Sequence, residues 1–381
     1  MTRAHLSRRR LVALAAAAPF APAAGQQLVV PGKKPMIVHN EFPEDLESLP
    51  EYLDTWITPV DSFFVRQHLP RPKIDIRSWR LSVGGRVGNR LSLSLGDLKA
   101  FPQVTVPATL ECAGNGRSHF RPRMPGLQWN KGAIGNAEWR GPRVRDILAK
   151  AGALPSAAFA DFDGADVGVA KTPDFIRSIP MRKCLHEATI LALEMNGAPL
   201  PDIHGFPARL IVPGWDGASW VKWVSRIDAT EQMHGGFYMN PAYRYPRNPG
   251  PPGQPVKPED LDVLEGMAVK SFFARPASGS RHKLGAITLS GAAWAGENRI
   301  VRVDVSSDGG ATWRPASLSR QDYRFAWRTW QFEWKPARPG YYTLCCRALD
   351  SAGRTQPLEA AWNPSGYLYN AVERVGVTVE G

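Results

Sequence analysis

Cysteine is scarce in this chain: four residues among 381, at positions 112, 184, 345 and 346, with no C-x-x-C spacing anywhere. That excludes a zinc ribbon and a covalent haem-attachment motif. Cys345 and Cys346 are neighbours in the strand-like run Tyr341–Arg347 and point to opposite faces, so they do not bridge each other. Cys184, before a His-Glu pair, suits a small buried hydrophobe. Long apolar runs are also missing, and no segment approaches the ~20 residues needed to span a bilayer. No lysine or arginine run follows residue 24, and there is no basic helix or aromatic-basic repeat, so nucleic acid is an unsuitable partner. No internal repeat is evident.

What is present is an ordinary globular composition, 43% hydrophobic and 22% charged, long enough for two domains. The formal net charge is +12. Four of its positive charges, Arg3, Arg8, Arg9 and Arg10, belong to a leader, and the remainder is spread along the chain. Such a surface attracts a small anion or an acidic protein partner. Residues 1–24 read as a twin-arginine signal peptide: Ser7 to Val12 is close to that pattern, a short apolar run follows to Ala18, and Ala21 to Ala24 offer a cleavage site. The expected destination is the periplasm, by a route that carries folded and often cofactor-loaded proteins.

The clearest internal boundary is the proline-rich run from Tyr245 to Pro255, which reads as a semi-rigid linker over 246–260. Beyond it, over 261–381, short strands recur. Ile300 to Val305 alternates, Ser307-Asp308-Gly309-Gly310 turns, and Arg324–Trp334, Tyr341–Leu349 and Val375–Val379 supply further strands. This spacing predicts an all-β immunoglobulin-like sandwich. Over 36–245 the pattern is mixed and predicts an α+β domain with irregular loops, a scaffold whose loops suit chemistry. Arg143 to Ala151 reads as a helix stopped by Gly152, with short strands at Trp79–Val83 and Leu210–Val212 and many Gly/Pro turns.

Thr109-Leu110-Glu111-Cys112-Ala113-Gly114-Asn115-Gly116-Arg117 is the segment most in need of a chemical reason. A thiol beside a glycine-punctuated turn suits a metal ligand or nucleophile, and the turn's successive N–H groups suit an oxyanion. Arg117 is expected to lower the thiol pKa. Arg66 and His68, two residues apart in an extended run, share a face and can address one anion. His204-Gly205-Phe206-Pro207-Ala208-Arg209 adds a second His/Arg pair, and a glycine-rich loop after it ends at Lys222. Converging near one thiolate, these cations describe a pocket for a polyanionic cofactor and an anionic substrate. A soft thiolate among oxygen donors suits several metals.

The Phe64–His68, Thr109–Arg117 and His204–Lys222 segments resemble the sulfite oxidase family of molybdenum cofactor enzymes, and Glu194-Met195-Asn196-Gly197 is similar to its molybdopterin segments. The C-terminal region, through Ser307 to Trp313, resembles the family's dimerisation domain. The resemblance implies Cys112 as the thiolate ligand of molybdenum bound to molybdopterin. It places Arg66, His68, His204, Arg209 and Lys222 on the pterin and its phosphate, with Phe64, Asp166, Trp220 and Val221 as lining positions. Tyr243 matches an active-site tyrosine, with Tyr245 as an alternate, and Arg66 and Arg117 would meet the substrate. The implied activity is oxidation of sulfite to sulfate, with electrons leaving to a separate c-type cytochrome, no haem in this chain, and a homodimer. The alternatives are a sulfane dehydrogenase acting on carrier-bound sulfur and a metal-free periplasmic binding protein. Two departures stand out. Trp362-Asn363-Pro364-Ser365-Gly366 has Ser365 where the family commonly has arginine, and Gly116 stands where a second arginine is frequent. Arg121, Arg123 and Arg244 are candidates to replace the missing charge.

Overall fold

A computed structural model describes residues 30–381, so the leader expected over 1–24 lies outside the described residues. The catalytic half is built mostly from strands. Its mixed five-stranded sheet runs in the order Leu91–Leu93, Leu81–Gly85, Val224–Thr230, Phe159–Gly164, Ile176–Pro180. The second and third of these are parallel and the other pairs antiparallel. A second sheet is dominated by Gln103–Glu111 and Ile134–Pro142, paired antiparallel from Gln103↔Pro142 to Glu111↔Ile134. Residues 112–133 are therefore the excursion of a long hairpin, and Cys112 is the first residue to leave it.

Helix contributes little. Leu95–Ala100 starts from a capping box made by Ser94 and Asp97. Val144–Ala151 buries Val144, Ile147, Leu148 and Ala151, and Gly152 ends it with φ 64°, a left-handed value that only glycine adopts without strain. The expected helix is present, but the half is far more β than an α+β reading implies. Its strands are too short and too interrupted by Gly and Pro to alternate visibly.

The C-terminal half holds two sheets. One orders Lys270–Arg275, Ile287–Trp294, Arg328–Trp334, Ser317–Leu318, and the other Arg281–Lys283, Glu373–Glu380, Gly340–Asp350, Ile300–Ser306, Arg314–Pro315. They enclose a core that includes Phe273, Leu289, Val303, Trp330, Leu344 and Val377. The proline-rich segment is not a spacer between separate bodies. Arg244–Pro246 pairs with Leu261–Val263, which closes the segment at its base into a loop. Between the halves the packing is continuous: Leu53 and Ile134 share a buried cluster with Phe272, Trp294 and Trp327. Cys184, Cys345 and Cys346 are buried thiols, and no disulfide forms among the described residues.

Candidate active site

The excursion after Gln103–Glu111 is tied down at once. Cys112 N–H donates to the Ala133 carbonyl at 2.9 Å, Asn115 N–H to the Cys112 carbonyl at 2.8 Å, and Arg117 N–H to the Gly114 carbonyl at 2.9 Å. Within the turn the Asn115 and Arg117 amides are thus spent on backbone carbonyls. Gly114 N–H instead faces the Cys112 sulfur. Gly116 has φ 91°, and a Cβ there would lie 2.8 Å from the Tyr369 ring. The glycine that replaces a frequent arginine therefore makes room for a tyrosine from the C-terminal half. Arg117 acts to lower the Cys112 thiol pKa, as expected, and Arg66 does so more strongly, but burial outweighs both and pushes the thiol up.

Cys112 stands where two cavities meet. The inner one is lined by Phe64, Arg66, His68, Cys112, Asp166, His204, Arg209, Trp220, Lys222 and Tyr243, together with Phe175 and Trp223. Val221 is not part of this wall. It is 1% exposed, and its carbonyl accepts from Leu210 N–H at 2.8 Å, so it serves the backbone between two lining neighbours. The Glu194–Gly197 segment is absent from the wall as well. It is a hairpin whose tight turn, Asn196 and Gly197, has φ of 54° and 80°.

Phe64, Arg66 and His68 reach the cavity from alternate positions because Val65 is pinned between them by reciprocal hydrogen bonds with Leu46, both 2.9 Å. Arg66 Nη1 donates to Asp45 Oδ1 at 3.2 Å. Arg209 Nη1 donates to the His204 carbonyl at 3.1 Å, but its Nε is buried with no partner, and burial pulls its pKa down to about 9. Lys222 Nζ reaches only the Ile203 carbonyl, at 3.3 Å. Burial, with Arg209 nearby, holds Lys222 well below its ordinary pKa, while burial raises Asp166 to about 6. Burial likewise keeps His68 and His204 neutral.

The donor set fits a polyanion with one soft metal position. Arg66, Arg209, Lys222 and two histidines converge where the lining offers one carboxylate, Asp166, and Arg209 Nε is left over. Among the described residues no group of three His, Cys, Asp or Glu assembles. A metal at Cys112 would therefore take its other ligands from a bound group rather than from the chain, which is what a pterin dithiolene provides.

The outer cavity opens from Arg66, His68, Cys112 and Tyr243 past Arg117, Trp129, Tyr238, Ser365 and Tyr367. Tyr243 rather than Tyr245 faces the site. Its Oη lies 2.6 Å from His68 Nε2 and its ring stacks on Tyr367 at 5.5 Å, whereas Tyr245 sits in the strand pair at the base of the proline-rich loop. Arg117 is held by carbonyls, Nε to Ser365 at 3.0 Å and Nη1 to Leu127 at 2.9 Å, and makes no ion pair, so its charge is uncompensated by a carboxylate. Gly114, Gly126 and Gly366 surround it so closely that a Cβ at any of them would lie under 3.0 Å from its atoms. None of Arg121, Arg123 and Arg244 lines either cavity. Arg121 donates to the Ser118 and Phe120 carbonyls and Arg244 to those of Met239 and Leu261.

Several supporting residues carry no motif and escaped the sequence reading. Lys33 Nζ donates to the Val60 and Phe63 carbonyls at 2.6 and 2.8 Å and meets His204 Nε2 at 2.7 Å. Glu111 is gripped from the other half by Lys270 Nζ at 3.0 Å and Trp294 Nε1 at 2.8 Å, and from its own turn by Asn115 Nδ2 at 2.9 Å. Arg177 lies behind Tyr243. Only an exceptional feature, such as a lysine in the isolated Pro31-Gly32-Lys33-Lys34 turn, hinted at any of them.

The family model described as an oxidoreductase molybdopterin binding domain matches residues 68–238. That described as a Mo-co oxidoreductase dimerisation domain matches residues 262–380. Human mitochondrial sulfite oxidase is 38% identical over 358 residues, covering 90% of this chain, and the chain spans 65% of that protein's length. Sulfite oxidase of Gallus gallus is 36% identical over 378 residues, covering 94% of this chain and 81% of that one. The crystal structure of the sulfane dehydrogenase SoxCD from Paracoccus pantotrophus matches with a TM-score of 0.79 and 29% identity over 94% of this chain and 92% of its own.

Proposed function

The chain belongs to the sulfite oxidase family of molybdopterin oxidoreductases, and from that premise we propose that it oxidises sulfite to sulfate with Mo-molybdopterin as cofactor. The observation that carries this reading is the junction at Cys112, where a donor-rich inner cavity meets a cationic mouth at a single sulfur.

Arg209, Lys222, His204, Arg66 and His68 would hold the pterin and its phosphate, and Cys112 would be the thiolate on molybdenum. When bound, the cofactor supplies the two-electron oxidant and the oxygen delivered to sulfur. The chain does the rest. Arg117, held by neutral carbonyls, draws a dianion into the mouth and gives its charge a partner. With His68 in the Nε2–H tautomer, Nε2 donates to Tyr243 Oη beside Cys112 and leaves the phenol proton for an arriving substrate oxygen. Tyr367, Tyr238 and Trp129 keep bulk water from the mouth's walls. The acceptor that the family resemblance implies for the electrons is a separate c-type cytochrome. We read the two-sheet half as immunoglobulin-like and as the contact of a homodimer, a reading supported by the dimerisation-domain match. Export to the periplasm by the twin-arginine route rests on the Ser7–Val12 pattern.

A second reading, oxidation of carrier-bound sulfane sulfur, draws on the likeness to SoxCD and on Ser365, which leaves the mouth with fewer cations and a largely apolar rim of Pro125, Leu127, Phe237 and Pro364. Activity toward a free anion and toward a peptide-borne persulfide, compared on one molybdenum-loaded sample, separates the two. Replacing Cys112 by Ser is expected to cut turnover by more than about 100-fold while the fold's melting point stays put. Unchanged turnover would remove Cys112 from the metal.

A further inference from the structure

With Ser365 in place of arginine, and with none of Arg121, Arg123 and Arg244 lining either cavity, Arg117 is the cation of the mouth that has no carboxylate partner among the described residues. One buried guanidinium has been left without a task. Arg177, in Ile176–Pro180, is 1% exposed. Its Nη1 donates to the Tyr238 carbonyl, its Nε is buried with no partner, and it makes no ion pair. Its Cζ lies 5.2 Å from the Tyr243 ring centroid. Burial works against its charge, and the field of Asp216 favours that charge without outweighing the burial. Asp216 spends Oδ1 on Ala218 N–H at 2.9 Å, and its Oδ2 is itself unpartnered rather than bonded to Arg177.

A guanidinium without a contacting carboxylate is costly to bury, and a protein that only needed to fill this space would use an apolar side chain. The position explains the expense. Tyr243 lines both cavities, holds its hydroxyl 2.6 Å from His68 Nε2, and is stacked on Tyr367 at 5.5 Å with an interplanar angle of 7°. Its backbone has φ 54°, an unusual value for tyrosine, so packing must hold it there. A cation on the ring draws electron density from it, which strengthens Oη–H as a donor, and in a poorly solvated site its field extends to an anion bound at that hydroxyl.

We propose that Arg177 completes the oxyanion pocket through Tyr243, as a positioning residue that sets anion affinity from behind the ring without touching the substrate. This rests on the oxyanion reading of the site. It accounts for the tolerance of Ser365: the charge missing at the mouth's rim is supplied from behind its wall.

The test uses cofactor-loaded full-length protein and sulfate as a non-reacting probe, with its dissociation constant read by calorimetry alongside sulfite KM and kcat. Arg177→Met is expected to weaken sulfate binding and raise KM by roughly tenfold, with kcat within about threefold and molybdenum content unchanged. Arg177→Lys should recover most of the affinity. If Arg177→Met does not fold, Arg177→Gln, which keeps a donor for the Tyr238 carbonyl and loses the charge, must show the same weakening. Unmoved sulfate affinity in a folded neutral variant overturns the inference alone, as does a collapse of kcat with affinity intact. Wild-type protein that is molybdenum-loaded yet neither binds sulfate nor oxidises sulfite overturns the oxyanion reading, and the inference with it.

Discussion

Lys33 shows how one side chain can define a binding wall from outside any motif. An ammonium has three donors and no acceptor, and Lys33 spends all three, on the Val60 and Phe63 carbonyls and on His204 Nε2. When Lys33 is charged, His204 Nε2 is an acceptor and the ring's proton sits on Nδ1. Burial holds Lys33 down to about 7 from an ordinary 10.5. Between those values the unfolded chain binds a proton that the native one has released, so native stability rises with pH across the window. Wild type is expected to gain on the order of 1–3 kcal/mol over Lys33→Met between pH 7 and 10, measured by urea denaturation at several pH values. A flat difference would mean that Lys33 keeps an ordinary pKa. The same substitution should loosen His204 and lower the pterin retained through gel filtration. The donors that line the inner cavity were legible as residue types, because Arg66, His68, His204, Arg209 and Lys222 cluster in short runs. Lys33, Arg177 and Asp45 were not, since each reaches the site only through tertiary contacts far apart in sequence.

At the scale of elements, the Cys112 turn is a junction between the two halves. Glu111 and Lys270 form an ion pair with both side chains 8% exposed, and Trp294 and Asn115 supply further donors to the same carboxylate. Removing one member of such a pair strands the other, so Lys270→Met is expected to destabilise the fold by about 3–5 kcal/mol. Lys270→Met combined with Glu111→Gln should recover part of that loss; additive losses in chemical denaturation would show that the two do not interact. The turn's other anchor is Tyr369 on Gly116. Gly116→Ala meets both a left-handed φ and the tyrosine ring, and a cost of about 2–4 kcal/mol is expected. In a Tyr369→Ala background only the backbone share should remain, and an unchanged cost would assign all of it to backbone strain. Sequence pattern found the Val144–Ala151 helix and the main C-terminal strands because each has a clean period or stop. It missed the β character of the first half, where strands of two to nine residues interrupted by Gly and Pro show no lasting alternation. It also took the proline-rich run for a spacer, because nothing local reveals that the chain on either side pairs with itself.

For the whole molecule, the consequence is that neither half makes the site alone. The catalytic half supplies the cofactor cavity and Cys112, while the C-terminal half supplies Ser365, Tyr367 and Tyr369 and grips the turn through Lys270. Leu368 N–H donates to the Ala113 carbonyl at 2.9 Å, which ties that contribution directly to the residue after Cys112. A surface that attracts anions, a mouth with an uncompensated Arg117 and a donor-rich cavity behind it describe one path, from solution to the Cys112 sulfur. The measurement that tests this most directly is sulfite-dependent reduction of ferricyanide, normalised to the molybdenum bound in the same sample. Saturating turnover that scales with molybdenum and disappears in Cys112→Ser is the predicted result. A molybdenum-loaded protein that leaves sulfite unoxidised would contradict it.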